Sequence, residues 1–250
     1  MRSVLFLLVG LGLLAGCVLD EPKPSAETIA KRVDVHTQLG AAYLARNQLD
    51  VAQQELERAL ELDSGYSQAH NIMALLQIRL KDDSKAESHF KRAISEMPDN
   101  ADARNNYGVF LCERNRLDAA DEQFRDAIKN PLYRTPDQAN VNAGICRLKK
   151  NDKNGAAAYF QAALQANPRN PLALMRLAQL SLEGGQALKA RGLMQRYFEV
   201  VNDSPEALWL AYRIEHALRS KDAQASYAMR LRGKFPDSTE ARQLKSLTGR

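Results

Sequence analysis

Two kinds of amphipathic stretch alternate along most of this chain and recur every 34 residues. The pattern is clearest over residues 105–127, NNYGVFLCERNRLDAADEQFRDA. It predicts two short helices broken at Asn115-Arg116, with a small residue on each, Gly108 and Ala120. Phe124 and Ala127 follow Ala120 at i+4 and i+7, the spacing of an apolar stripe on one helical face. One such hairpin cannot bury its own apolar face, so copies must stack. The small first-helix residue recurs as Gly40, Ala74, Gly108, Gly144 and Ala178, at spacings of 34, 34, 36 and 34. Its second-helix counterpart is Ala52, Ala86, Ala120, Ala156 and Ala190. Leu56, Phe90, Phe124, Phe160 and Met194 come four residues later as large plugs between the helices, then Ala59, Ala93, Ala127 and Ala163. Pro98 and Pro168 close the second and fourth units, where proline stops a helix.

A 34-residue period with this pattern resembles the tetratricopeptide repeat. The resemblance implies an all-α fold: a right-handed superhelical solenoid of about six helix-turn-helix units with a short C-terminal capping helix. The sixth unit is weaker; Trp209, Tyr212, Ala225 and Met229 fit it with a shift of one residue. Asp237 and Glu240 then read as a capping box for a last helix running to about Leu247, which a solenoid needs to cover its final apolar face. The extra two residues fall at 130–136, NPLYRTP, whose prolines predict a bent junction; a plain insertion is favoured over a functional loop. The repeat domain is assigned to residues 33–250.

Composition agrees with helices: 45% hydrophobic residues but only 6% aromatic. A net charge of +5 is too modest to argue for nucleic acid, and none is expected as a partner. The charge is uneven, since eight Lys/Arg stand against three Asp/Glu from Arg219 to the end. A solvated helical face is the preferred reading of that end, over an acidic partner or lipid surface.

Residues 1–16 carry one positive residue, Arg2, and an apolar run from Val4 to Ala15, the pattern of an export signal. The run is too short to span a bilayer comfortably. Leu14-Ala15-Gly16-Cys17 resembles the bacterial lipobox. That resemblance implies cleavage before Cys17, acylation of its sulfur and amine, and stable anchoring by several acyl chains; an ordinary signal peptide with an accidental cysteine is the alternative. Val18 follows, where aspartate would imply inner-membrane retention, so the periplasmic face of the outer membrane is the expected location. Residues 17–32 are assigned to the lipidated cysteine and a tether leading into the first helix, which Ser25 is placed to cap.

Little in the chain points to catalysis. Walker, HExxH and GxSxG motifs are absent. His36, His70, His89 and His216 lie in different units without metal-ligand spacing and read as surface or groove residues. No enzyme activity, metal or cofactor is expected. Cys112 and Cys146 lie on first helices of neighbouring units. Two buried free thiols are the default expectation. A disulfide stays open, because bridging needs Cα atoms within about 7 Å, which repeat register does not guarantee.

In this repeat class the concave face is lined by first-helix positions 2, 5, 9, 12 and 13. Counted from Val33, Ser67 and Ala101, that register places Thr37, Ala41, Leu44, Asn71, Leu75, Ile78, Asn105 and Val109 on the inner wall. Leu44, Leu75 and Ile78 are apolar for such positions, and an apolar groove suits a partner helix or extended peptide; packing against the first helix or tether is the competing reading. Position 5 is Thr37 and Asn71 rather than lysine, which argues against capture of a carboxylate terminus.

Taken with the lipobox, three stretches carry a closer resemblance: residues 105–120, NNYGVFLCERNRLDAA; 131–146, PLYRTPDQANVNAGIC; and 225–238, ASYAMRLRGKFPDS. They are similar to the PilF/PilW lipoproteins of type IV pilus biogenesis, as is the more generic first unit at 38–63. The resemblance implies a monomeric pilotin, held to the membrane by its N-terminal lipid, that binds secretin subunits and promotes their localisation and multimerisation in the outer membrane. A generic periplasmic scaffold of the same repeat type, for example an adaptor for peptidoglycan enzymes, is the alternative.

Overall fold

A computed structural model describes residues 25–249. The lipobox, Cys17 and most of the tether lie outside the described residues. Within them the chain forms 13 helices and no strand. Six antiparallel pairs follow one another as a superhelix: α1 (Ala26–Ala45) with α2 (Leu49–Leu62), α3 (Ser67–Arg79) with α4 (Asp83–Glu96), and α5 (Ala101–Glu113) with α6 (Leu117–Lys129). Then come α7 (Pro136–Lys149) with α8 (Lys153–Ala166), α9 (Pro171–Glu183) with α10 (Ala187–Phe198), and α11 (Pro205–Ala217) with α12 (Lys221–Lys234). The thirteenth, α13 (Thr239–Thr248), closes the array. None of these helices is long and apolar enough to cross a membrane.

Each pair packs through a size-matched contact. Leu56, Phe90, Phe124, Phe160 and Met194 are fully buried beneath the small first-helix residues. Steric room is the reason for glycine: a Cβ at Gly108 would lie 2.6 Å from Phe124 Cε1, and one at Gly144 would lie 2.6 Å from Phe160 Cε1. Helices can approach this closely only where one partner lacks a side chain.

The turn between paired helices repeats as faithfully as the core. Asn47, Lys81, Asn115, Asn151, Gly185 and Arg219 occupy equivalent positions, all with φ between 57° and 75°. The residue after each donates its N–H five residues back, as from Gln48 to the Tyr43 carbonyl at 2.9 Å and from Asp82 to the Gln77 carbonyl at 2.9 Å. These bonds satisfy carbonyls that a helix C-terminus leaves open. Asparagine and glycine tolerate left-handed backbone; Lys81 and Arg219 do so at a cost. Lys81→Asn is therefore expected to stabilise the chain by about 0.5–1 kcal/mol, read as a shift in denaturant midpoint.

The sixth unit departs from expectation. Ala225 and Met229 are exposed, Met229 by 71%, whereas Ala228 and Leu231 are buried with Tyr212 and Leu208. The register continues without a shift of one residue, and the sizes are exchanged: a tyrosine occupies the small first-helix site and an alanine the plug site. Leu244 and Ala241 of α13 complete this cluster, covering the last unit. Ser238, rather than Asp237, caps α13 by accepting the Ala241 N–H at 3.1 Å. At the opposite end Ser25 caps α1, accepting from Thr28 N–H at 3.2 Å. The insertion forms a loop from Asn130 to Thr135, after which Pro136 opens α7.

Cys112 on α5 and Cys146 on α7 are bonded to each other, with Cα atoms 5.8 Å apart. The default expectation of free thiols is thus replaced: first helices of adjacent units lie close enough to bridge. The bond closes a 34-residue segment, for which chain entropy gives a stabilisation of about 4 kcal/mol. Replacing both cysteines by serine is expected to lower stability by about 2–4 kcal/mol, checked by urea unfolding beside the reduced wild type.

Ion pairs also join consecutive units. Arg114 grips Asp83 through two nitrogens, and Arg147 grips Asp121 in the same fork. Glu87 on α4 receives Arg116 at 2.7 Å, Lys91 at 2.9 Å and the Tyr107 hydroxyl at 2.9 Å. Hydrogen bonds from Arg116 and then Lys91 hold the Glu87 carboxyl at about 2, while burial first and Glu87 second push the Tyr107 hydroxyl up to about 12. A depressed carboxylate stabilises the fold above its ordinary value near 4.5 and loses that contribution as pH falls through about 2. Glu87→Gln is accordingly expected to destabilise the protein at pH 7, with the gap closing between pH 4.5 and pH 2 in acid-unfolding curves.

Candidate functional site

The inner face of the first four units encloses a groove of about 630 Å³. Leu44 from α1, Leu75 and Ile78 from α3, and Val109 with Phe110 from α5 supply its apolar walls. These elements converge because the first helices stand side by side, presenting the same register positions to one concavity. Leu75, Ile78 and Val109 are half-buried, packed at their bases against the cores of units two and three.

Five of the eight residues placed on the inner wall by register meet here: Leu44, Leu75, Ile78, Asn105 and Val109. Ala41 is half-buried and packs against the cluster of Ala52, Leu56, Ile72, Met73 and Leu76. Thr37 and Asn71 do not face the groove, being only 2% and 1% exposed. Thr37 turns its hydroxyl back to the Val33 carbonyl at 2.8 Å, and Asn71 accepts a hydrogen bond from Asn106 Nδ2 at 3.1 Å. In units one and two position 5 is therefore turned away, by a bond within α1 for Thr37 and by a bond between α3 and α5 for Asn71, whereas Asn105 at the same position of unit three lines the groove.

Gln138 and Asn142 of α7 close the groove on its far side and were not among the expected residues. Extending the same register past the insertion would have reached Gln138. Asn142 Nδ2 donates to Asn105 Oδ1 at 3.0 Å, so two groove-lining amides are locked across the α5–α7 contact that the disulfide also spans. The ionic groups of the lining, Arg79 and Glu113, are exposed. An apolar middle edged by amides and one charge of each sign favours a largely uncharged occupant.

The histidines stand apart from this site. His70 is buried, correcting its reading as a surface or groove residue; its Nδ1 lies 2.9 Å from His89 Nδ1. Burial first, then the neighbouring His70, push the His89 pKa down. His36 pairs with Glu55 at 2.7 Å. No group of three or more potential metal ligands occurs among the described residues.

The fold and its groove define a tetratricopeptide-repeat protein. Two models of the tetratricopeptide repeat match the chain, one at residues 79–130 and 147–212 and the other at 37–96. The type IV pilus assembly protein PilF of Pseudomonas aeruginosa is 27% identical over 248 residues, 98% of each chain. Its solved structure superposes with a TM-score of 0.79 at 25% identity, covering 88% of this chain and 99% of that one. The crystal structure of PilW, described as a widely conserved type IV pilus biogenesis factor, is 33% identical, covers 85% of this chain and 97% of its own, and has a TM-score of 0.73. The chain belongs to the PilF/PilW family of type IV pilus biogenesis proteins.

Proposed function

We propose that this chain is a lipid-anchored pilotin that binds secretin subunits of the type IV pilus and promotes their localisation and multimerisation in the outer membrane. The observation that carries the reading is the gathering of Leu44, Leu75, Ile78 and Val109 into one concave groove with an apolar middle. Such a surface holds a peptide segment through apolar contact. The kinship with PilF and PilW supplies the pilus context, and the lipobox motif at residues 14–17 supplies the anchor.

The two parts act separately. Acyl chains on Cys17 hold the solenoid at the periplasmic face of the outer membrane, and several chains make that attachment stable where one would be marginal. The groove retains a secretin segment, keeping each subunit near that membrane until the ring closes. The direct test is an immunoblot of heat- and detergent-resistant secretin multimers in outer-membrane fractions, with and without the gene. Loss of multimers is the expected result; unchanged multimers would overturn the pilotin reading. Labelling with a radioactive fatty acid, lost in Cys17→Ser, tests the anchor on its own.

A further inference from the structure

Every unit after the first turns the same three first-helix positions against the unit before it. They are Ala69, Met73 and Leu76 in unit two, Ala103, Tyr107 and Phe110 in unit three, and Ala207, Ala211 and Ile214 in unit six, all buried. The equivalent positions of unit one, 34 residues before those of unit two, are Val35, Leu39 and Ala42. They have the same apolar character but no preceding unit among the described residues, where Val35 is 54% and Leu39 39% exposed. The far end of the solenoid is treated differently, since α13 covers it. Among the described residues one end is capped and the other is left as a bare apolar stripe.

Charge distinguishes this stripe from a missing internal contact. Lys31, Arg32 and Arg46 are exposed and lie on the same side of α1, one helical turn from Val35 or Ala42. Asp34 and Glu27 fall on the flank, Glu27 paired with Lys31 at 2.6 Å. Arg32 and Arg46 make no ion pair among the described residues. An apolar stripe rimmed by cations is the pattern of a helix lying on an anionic membrane surface. The chain length agrees: Cys17 and Ser25 are eight residues apart, a reach of at most about 29 Å. An anchored solenoid therefore keeps the N-terminal end of α1 close to the bilayer.

We propose that the bare face of α1, through Val35, Leu39, Lys31, Arg32 and Arg46, rests on an anionic phospholipid bilayer and so fixes the orientation of the groove relative to the membrane. The inference rests on the anchoring at Cys17 proposed above. A second copy of the chain is a poorer occupant. Two such faces would oppose three cations each, and three apolar side chains fall far short of the roughly 800 Å² per partner of a stable interface.

The chain from Cys17 onward, which carries every described helix, is coupled through Cys17 to a maleimide lipid in phosphatidylglycerol–phosphatidylethanolamine vesicles. Supplying the anchor chemically separates docking from the question of whether a cell acylates the residue. Leu39→Trp provides a probe, and the native Trp209 on α11 serves as the internal reference. Brominated phosphatidylglycerol is expected to quench the emission of the introduced tryptophan at least twofold and leave the Trp209 signal unchanged. Adding Arg32→Glu and Arg46→Glu, or replacing the anionic lipid with phosphatidylcholine, should remove the quenching. Full anchoring without quenching of the introduced tryptophan would overturn the proposal, as would equal quenching on phosphatidylcholine. So would a wild-type dimer in light scattering that Val35→Glu converts to monomer, which would assign the face to a second copy. Failure of fatty-acid labelling at Cys17 in cells would instead defeat the anchoring reading itself.

Discussion

Leu75→Glu is expected to abolish capture of the secretin segment while leaving the solenoid folded. Leu75 is half-buried, so a glutamate there can direct its carboxylate into the open groove of the free protein. Binding would then strip water from that charge in the apolar middle, where the exposed Arg79 one helical turn along α3 offsets it only in part. A truncated hot spot in an interface costs about 2–4 kcal/mol, and desolvating a partly compensated charge adds to that loss. A loss of at least about 30-fold in affinity follows from the lower figure. Titration calorimetry with purified secretin domains, beside circular dichroism of the variant, reads both halves of the claim. The adjacent Leu76 is the control, since it is fully buried between units. Leu76→Glu should unfold the protein, and binding lost through unfolding is thereby told apart from binding lost at the groove. Wild-type affinity in a folded Leu75→Glu protein would remove the groove from the mechanism.

Phe124→Ala is expected to cost about 3–5 kcal/mol, the range for deleting a buried aromatic side chain. The ring fills the gap between α5 and α6 beneath Gly108 and belongs to the cluster that holds the disulfide, Phe90 and Phe110. In a solenoid each unit is supported only by its neighbours, so a void in unit three weakens two interfaces at once. The sixth unit points to a rescue, because there Tyr212 and Ala228 already carry the large and small roles in exchanged order. Gly108→Leu alone should be destabilising, as its Cβ meets Phe124 at 2.6 Å. Combined with Phe124→Ala, the same substitution enters vacated space. Urea unfolding of the four proteins should show the double variant more stable than the sum of the single effects by about 1–3 kcal/mol. Simple additivity would mean that the two side chains do not share one cavity.

Both predictions rest on features that differ in how legible they are in the chain. The helix pairs, their turns near Asn115 and the matched series of small and large residues are periodic, and period is visible in one dimension. The plugs Leu56, Phe90, Phe124, Phe160 and Met194 all lie where the spacing put them, because a helix face is fixed by local geometry that each unit repeats. Family membership was legible by resemblance, in the third unit, the junction and the C-terminal stretch, and not from the period, which gives only the repeat class.

What the sequence alone left open involves relations between units. Whether Cys112 and Cys146 bridge depends on the offset between α5 and α7, which a two-residue insertion obscures; the tertiary structure brings their Cα atoms to 5.8 Å. Position 5 belongs to the concave face by register, yet Asn71 is withdrawn by a bond to Asn106 of the next unit that no single-helix argument contains, while Thr37 is turned back to Val33 within its own helix. The sixth unit misled because volume is conserved across a contact rather than at a position. Tyr212 opposite Ala228 fills the same kind of space as a glycine opposite a phenylalanine, and only packing reveals the exchange. The bare stripe on α1 is the converse case. Val35, Leu39 and Ala42 match their counterparts in later units, and what sets them apart is that no unit precedes them among the described residues.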